Sequence, residues 1–153
     1  MARTIFILAF LVTPLISSLL AESLCQEYRE VEKKFGCGQD GYPLGYGLPN
    51  CLRFTNDSNL RDFSAKGREF FECSVGCLVS TISRISEHAT SCQQLREEAV
   101  DSHNQCYLRC GFCEVCKTDK VALFKTSGMT LTFERIKQLI AIVRNCGPFR
   151  CFL

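Results

Sequence analysis

The sequence lacks several features that would assign it to a common functional class. Its 153 residues include no tryptophan and only two histidines, and its net charge is +2. A charge this close to zero argues against nucleic acid as a partner. Beyond the N-terminus, no stretch approaches the roughly 18 apolar residues of a membrane-spanning helix. There are no repeats or low-complexity tracts, and 46% apolar residues exclude a disordered chain. The length suits one domain.

Motifs for catalysis are equally scarce. His88 and His103 do not form an H-E-x-x-H pair, and we expect both at the surface or half-buried. Glu97 and Glu98 are predicted to lie on a solvated helix face. A Cys–His dyad would need a free thiol, and an even number of cysteines leaves none obviously spare. The glycines within 41–47 do not lead into a phosphate-binding helix. The sequence therefore predicts no enzyme, no cofactor and no metal.

Cysteine is the residue that the sequence has in excess, since twelve cysteines follow residue 24. Before them come one positive charge at Arg3, an apolar stretch from Ile5 to Val12 and a small residue, Ala21. This is the layout of a signal peptide, which we place at 1–21. A membrane anchor is the alternative, but the apolar stretch is short and Pro14 interrupts it. We expect a secreted, extracellular chain, 22–153, with its cysteines in disulfides.

The polar sequon Asn56-Asp57-Ser58 agrees with export. Such a sequon on a surface loop of a secreted protein accepts an N-linked glycan. We therefore predict glycosylation at Asn56.

The spacing of apolar residues predicts four helices, at 22–35, 62–88, 91–111 and 132–146. Ser91 with Gln94 three residues later matches a capping box. Gly111 and the Gly147-Pro148 pair are helix stop signals. Five glycines and two prolines predict an irregular loop over 36–50, and 113–128 shows no clear pattern. The predicted class is all-α: a disulfide-stapled helical hairpin with flanking short helices and a Gly/Pro-rich loop.

Two cysteine pairs predict how the long helices associate. Cys73 and Cys77 are four residues apart, as are Cys106 and Cys110, so each pair shares a helix face. Bonded partners in an antiparallel hairpin must have a constant sum of residue numbers. Pairing 73 with 110 and 77 with 106 satisfies this condition, and the midpoint falls beside Ser91. We therefore predict both bridges, here called the double staple. Chance spacing with another connectivity is the alternative.

Cys110, Cys113 and Cys116 suggest two further chemistries. The segment Cys110-Gly111-Phe112-Cys113 resembles a thiol-oxidoreductase dithiol, but that chemistry needs its first cysteine at a helix N-terminus, and here it ends a helix. The same three cysteines form a C-x-x-C-x-x-C run typical of zinc or iron–sulfur sites, yet no fourth ligand follows nearby. We expect neither a redox nor a metal site.

The order of these features is similar to that of the stanniocalcin family, small secreted helical glycoproteins with a cysteine framework. The resemblance runs from Cys25 to Cys146, which is most of the mature chain. It rests on Phe35-Gly36-Cys37-Gly38, on Cys51-Leu52 before the Asn56 sequon, on Gly67-Arg68-Glu69-Phe70, on Cys106-Tyr107, and on the intervals between Cys77, Cys92, Cys106, Cys113 and Cys146.

The resemblance implies three bridges: Cys25–Cys51, Cys77–Cys106 and Cys113–Cys146. The family partners of Cys37 and Cys92 are missing from this sequence, so a direct Cys37–Cys92 bridge is one option. Cys116 and Cys151 are extra to the family pattern and could bond to each other. The family's long C-terminal region, which carries its interchain cysteine, is also missing. Cys151 could replace that cysteine and link a homodimer.

The resemblance implies a glycoprotein hormone or signalling factor in extracellular calcium and phosphate homeostasis, acting through a receptor or another protein partner. Tyr42, Tyr46 and Phe149 are candidate anchors for that partner, because aromatic side chains dominate many interfaces. The second hypothesis is a secreted protease inhibitor or modulator, in which Cys116 or Cys151 forms a mixed disulfide with its target. The third is a helical-hairpin defence protein, although such chains are usually shorter and more basic.

Overall fold

A computed structural model describes residues 22–126, 133–147 and 149–151. The predicted signal peptide at 1–21, the predicted start of the last helix at Thr132 and the stop residue Pro148 lie outside the described residues. All twelve cysteines lie within them.

All regular secondary structure in the described residues is helical, which confirms the all-α class. The helices are α1 (22–35), α2 (Leu48–Phe54), α3 (Asp57–Leu60), α4 (Ala65–His88), α5 (Cys92–Arg109), α6 (Phe112–Thr118), α7 (Lys120–Thr126) and α8 (Phe133–Asn145). A wider π-helical turn, Tyr42–Gly47, runs directly into α2. The four predicted helices are present as α1, α4, α5 and α8, while α6 and α7 occupy the segment that showed no pattern.

Helices α4 and α5 form the predicted hairpin, joined by three residues. Ser91 caps α5, since its hydroxyl oxygen accepts a hydrogen bond from the Gln94 backbone N–H at 3.2 Å. The capping box is incomplete, because the Gln94 side-chain oxygen accepts instead from the backbone N–H and hydroxyl of Thr90, at 3.0 and 3.1 Å. Beyond α5, Gly111 has a left-handed φ of 92°, which ends the helix where predicted.

Residues 36–50 differ from the predicted irregular loop, since only 36–41 lacks helical structure. Pro43 and Pro49 each lie in the first two positions of a helical segment, where the missing N–H costs no hydrogen bond. Gly47 allows a close approach, because a Cβ there would lie 2.3 Å from the Tyr28 ring. Proline at helix starts and glycine at a packing contact explain why most of this Gly/Pro-rich segment is helical and the predicted loop is wrong.

Buried apolar side chains form two clusters. The first core joins α1, the 42–54 segment and the turn end of the hairpin, through Tyr28, Val31, Tyr42, Ile82 and Leu95 among others. The second core joins the open end of the hairpin to α6, α7 and α8 through residues such as Phe63, Phe70, Phe71, Phe112 and Ile142. Burial of a side chain of this size contributes roughly 1.5–3 kcal/mol, so each core stabilises a different end of the hairpin.

Asp119, between α6 and α7, connects the second core to the start of α4. Its carboxylate accepts hydrogen bonds from the Ser64 backbone N–H at 2.6 Å and from the Ser64 hydroxyl at 2.8 Å. Burial by itself would raise the pKa of Asp119, but these bonds and one from Thr118 hold that pKa below its ordinary value. The Ser64 hydroxyl in turn accepts from the Gly67 backbone N–H and caps α4.

Six disulfides connect these elements. Both bridges of the double staple are present and link α4 to α5. The other four are Cys25–Cys51, Cys37–Cys92, Cys113–Cys146 and Cys116–Cys151. The pairings implied by the resemblance and the two optional ones are therefore all found. No described helix has both the length and the apolar composition to cross a bilayer.

Candidate functional site

None of the twelve cysteines is a free thiol. Cys151 is bonded to Cys116 within the chain, so the option of an interchain bridge through Cys151 is wrong for this structure. The same bond holds the two sulfurs that the protease-modulator hypothesis would use for a mixed disulfide. A Cys–His dyad has no thiol to activate, because the thiolate is the nucleophile in that chemistry.

The Cys110 and Cys113 sulfurs are not partners. Cys110 is bonded to Cys73 on α4, whereas Cys113 is bonded to Cys146 beyond α8. The C-x-x-C segment therefore contributes to two separate structural bridges, both beside the second core. It does not form the dithiol–disulfide couple of an oxidoreductase.

Two disulfides of the second core, Cys113–Cys146 and Cys116–Cys151, lie next to each other. The Sγ atoms of Cys116, Cys146 and Cys151 all lie within 4.8 Å of one another, and each of these residues is less than a tenth exposed. Cys113 joins them through its bond to Cys146. These four residues, here called the sulfur cluster, consist of a C-x-x-C on α6 and a C-x₄-C after α8. The cluster brings together cysteines that are distant in the sequence, and all four are held in disulfides.

His103 is buried, which contradicts the predicted surface or half-buried position. It is 2% exposed on the inner face of α5, and its Nε2 is hydrogen-bonded to the Tyr42 hydroxyl at 2.8 Å. Tyr42 also shares a hydrogen bond with Tyr28. The Tyr46 and Tyr107 rings lie 5.6 and 5.7 Å from the imidazole, centroid to centroid. The result is a buried aromatic cluster between α1, the π-helical turn and α5.

Burial controls the charge state of this aromatic cluster. It lowers the pKa of His103 to about 4, because a charged imidazole would lose its hydration. It raises the pKa of Tyr28 and Tyr42 well above the ordinary value for the same reason. All three groups are therefore neutral at physiological pH. His103 Nδ1 is buried without a hydrogen-bond partner.

The cavity beside these rings is too small for a substrate. It has a volume of about 10 Å³, which is room for one water molecule at most. A larger hollow of about 620 Å³ is an open groove along α4, between Glu69 and Arg109. Neither hollow encloses a small molecule, so the aromatic cluster is best interpreted as part of the first core.

His88 and Glu98 lie where the sequence predicted, on the exposed surface of the hairpin. Their side chains are hydrogen-bonded with 2.7 Å between Nε2 and Oε2, an ion pair when His88 is protonated, and the His88 side chain is 57% exposed. The hydrogen bond to Glu98 raises the pKa of His88, and the reciprocal bond lowers that of Glu98. Glu97 is exposed and accepts a hydrogen bond from Gln93 one turn earlier.

The three candidate anchors differ in accessibility. Tyr42 is 5% exposed and belongs to the first core, so it is wrong as a binding anchor, and Tyr46 is only partly exposed. Phe149 is 65% exposed and is the anchor that remains available. The pattern did not single out Leu139 and Ile140 of α8, which are 48% and 46% exposed.

One side of α8 therefore has apolar side chains that are exposed. Ile136, Leu139 and Ile140 follow helical spacing and are all exposed, whereas Ile142 is buried in the second core. The apolar residues of α8 therefore extend beyond the face that packs into the second core. We call these three residues the α8 face.

Asn56 is exposed at the start of α3. Its side-chain oxygen accepts a hydrogen bond from the Ser58 backbone N–H at 2.9 Å and another from the Ser58 hydroxyl. The side-chain nitrogen, which would carry a glycan, lies on an exposed stretch, 56–59.

No protein-family model, curated protein or solved structure matches this chain. The likeness to stanniocalcins therefore rests on the residues quoted above and stays a prediction.

Proposed function

We propose that this chain is a secreted, stanniocalcin-like glycoprotein hormone or signalling factor. It acts by binding a receptor or another extracellular protein, with an implied role in calcium and phosphate homeostasis. The observation that carries the proposal is the α8 face: an apolar surface held in place by six disulfides. A rigid scaffold that presents a preformed surface loses little entropy on binding.

The surroundings of the α8 face favour an acidic protein surface as the partner. Residues 112–151 contain seven Lys or Arg and three Asp or Glu, although the whole chain has a net charge of only +2. Arg144 is exposed on α8, and Asp119, one of the three acids, is buried. Apolar anchors beside basic side chains match an apolar pocket with an acidic rim.

The chemistry of the described residues supports binding more than catalysis. Every cysteine is disulfide-bonded, and the buried histidine lies beside a cavity too small for a substrate. A binding protein needs neither a nucleophile nor an enclosed pocket, since its function resides in exposed side chains.

A cell-binding experiment with two matched variants tests the proposal. Leu139→Glu places a charge in the α8 face, and Leu52→Glu does the same on α2, where Leu52 is 37% exposed. We expect labelled protein to bind saturably to calcium-transporting epithelial cells and to change their calcium or phosphate uptake. Leu139→Glu should weaken cell binding and the effect on ion uptake by about tenfold or more. The reason is that an apolar anchor that becomes buried in a complex contributes about 1–2 kcal/mol or more to the binding free energy.

Leu52→Glu is the matched control for the charge that Leu139→Glu introduces. Leu52→Glu should bind like the parent protein, and circular dichroism should show equal helicity in all three. Equal binding by both variants would remove the α8 face from the proposal. If the parent protein shows no saturable binding and no effect on ion uptake, the signalling function is wrong.

A further inference from the structure

We propose that α7 binds the surface of anionic phospholipid membranes. The contact is made by four exposed side chains of this helix, here called the α7 patch: Lys120, Val121, Phe124 and Lys125. The inference goes beyond the proposed function and does not depend on it, because the ligand is a lipid surface and the helix is not α8.

The exposed apolar side chains are concentrated in the C-terminal part of the chain. Of the eight large hydrophobic side chains that are exposed in the described residues, six lie within 120–151. Val121 and Phe124 of α7 are 69% and 58% exposed. Single exposed apolar residues are common on soluble proteins, but a concentration of them marks an interaction surface.

The four residues of the α7 patch share one side of the helix. Successive residues of an α-helix are about 100° apart around its axis. Val121 and Phe124 therefore lie next to each other, with one lysine of the patch on each flank. On the opposite side, Ala122 is buried and Leu123 packs against the second core. The outward side of α7 is thus apolar in the middle and cationic at both edges.

Packing holds α7 in this orientation. Asp119, directly before the helix, accepts hydrogen bonds from the backbone N–H and the hydroxyl of Ser64 at 2.6 and 2.8 Å. At the other end of α7, the Arg53 guanidinium donates to the Thr126 carbonyl. The patch therefore lies on a helix whose two ends are bonded to the body of the protein.

The charge of the chain is unevenly distributed, and the patch lies in its positive part. Residues 22–111 contain ten Lys or Arg and thirteen Asp or Glu, whereas 112–151 contain seven and three. Of these three acids, Asp119 is buried and Glu114 forms an ion pair with Arg150. An anionic surface attracts 112–151 and repels the rest, so its field orients the protein with α7 toward the lipid.

Both lysines of the patch can reach phospholipid headgroups. Lys120 belongs to none of the ion pairs among the described residues. Lys125 pairs with Asp62 at 2.9 Å, but the two side chains are 64% and 61% exposed, and an ion pair this exposed contributes little to stability. The apolar stem of a lysine can lie along neighbouring apolar side chains while its ammonium group contacts a phosphate.

This pattern of side chains favours a membrane as the ligand. Apolar side chains flanked by lysines are typical of helices that lie at a bilayer surface, where the apolar groups enter the acyl boundary and the lysines stay with the headgroups. Two apolar side chains and two charges give reversible binding, without a helix that crosses the bilayer. An acidic protein surface is the alternative ligand, and the experiments below separate the two.

Vesicle binding by the full, oxidised protein tests the proposal. We expect saturable binding to vesicles of equal parts phosphatidylserine and phosphatidylcholine, and none to vesicles of phosphatidylcholine. Added salt should weaken the binding, because it screens the charges. Phe124→Ser should weaken it by about tenfold or more through the lost apolar contact. The double variant Lys120→Gln, Lys125→Gln should do so by a similar factor of about ten, through the lost attraction to the headgroups.

Two matched control variants lie outside the patch. Leu52→Ser removes an exposed apolar side chain from α2, and the double variant Lys33→Gln, Lys66→Gln removes two exposed lysines. Both should bind vesicles like the parent protein. Equal weakening by the patch and control variants would overturn the assignment to α7. A parent protein that binds phosphatidylserine vesicles no better than phosphatidylcholine vesicles would overturn the proposal as a whole.

A tryptophan in the patch reports directly on contact with lipid. The chain contains no tryptophan, so Phe124→Trp introduces a single fluorophore and keeps the patch apolar. On anionic vesicles its emission should shift to shorter wavelength and be quenched by brominated lipid, whereas the emission of Leu52→Trp should not change. Unchanged emission from vesicle-bound Phe124→Trp would contradict the proposal. Binding to immobilised poly-glutamate but not to vesicles would overturn it in favour of an acidic protein surface.

Discussion

At the scale of single residues, the buried His103 imidazole makes the fold sensitive to acid. Its pKa is about 4 in the folded protein, against 6.5 for an exposed histidine. The unfolded chain therefore takes up this proton first as the pH falls. Stability from this residue is complete above about pH 6.5 and is lost as the pH falls toward 4, by about 3 kcal/mol in total.

Replacing the His103 imidazole with an apolar ring should abolish this acid-induced loss of stability. We expect the free energy of unfolding of the parent protein to contain an acid-induced loss of about 2–3 kcal/mol between pH 7 and pH 4.5 that His103→Phe lacks. Urea unfolding with the disulfides intact measures this difference. His88→Phe is the control, because His88 is exposed and its pKa is raised, not lowered. An equal acid-induced loss in His103→Phe and the parent would contradict the assignment.

Asn56 should carry the N-linked glycan of the secreted protein. Asn56 is exposed at the N-cap of α3 and belongs to neither core, so its side chain is accessible for glycosylation. Protein secreted from animal cells should lose mass on treatment with an amidase that removes N-glycans. Asn56→Gln should abolish that loss without changing the helicity. A mass unaffected by the amidase would show that the sequon is not used.

At the scale of helices, two glycines on neighbouring elements have opposite roles. A Cβ at Gly47 would lie 2.3 Å from the Tyr28 ring, whereas one at Gly76, inside α4, would meet nothing within 4 Å. Gly47 therefore permits contact between the π-helical turn and α1. Gly76 only adds backbone freedom to the unfolded chain.

Alanine substitution should separate these roles. Gly76→Ala should raise the free energy of unfolding by about 0.5–1 kcal/mol. Gly47→Ala should lower it by about 2 kcal/mol or more, because the Tyr28 ring must move in a close-packed core. Urea unfolding of the oxidised proteins measures both changes. A gain in stability for Gly47→Ala would mean that the π-helical turn does not contact α1 as described.

At the scale of the whole molecule, the double staple restrains one loop twice. Cys77–Cys106 spans 29 residues and Cys73–Cys110 spans 37, and the shorter loop lies inside the longer one. Either bridge by itself keeps α4 and α5 together in the unfolded chain. Loss of one bridge therefore releases less entropy than its loop length suggests.

The losses in free energy of unfolding caused by replacing the bridge cysteines with serine should be non-additive for this reason. In the chain-entropy model we expect each single bridge to contribute about 2.5 kcal/mol while the other is present, and removal of both to cost about 6 kcal/mol. Urea unfolding of the two single-bridge variants and the double variant measures the cycle. A cost for the double variant equal to or below the sum of the single costs would contradict this description.

Patterns in the sequence were sufficient to predict the helical hairpin. Helix phase, the Ser91 cap and the stop at Gly111 depend on neighbouring residues, so they could be assigned without tertiary information. The register of the hairpin also followed, because cysteines four residues apart must share a helix face. These features explain why α4, α5 and the double staple were predicted together.

Contacts between distant residues decided the rest. The amphipathic pattern of α5 did not include His103, which is buried because Tyr42 and Tyr46 of the distant π-helical turn pack against it. Likewise, α6 and α7 have seven residues each, too few for a clear apolar period. Cys116 and Cys151 are 35 residues apart, and only the packing of α6 against the end of α8 forms the sulfur cluster. Local sequence determines the phase and the ends of a helix, whereas the identity of its neighbours is a property of the folded chain.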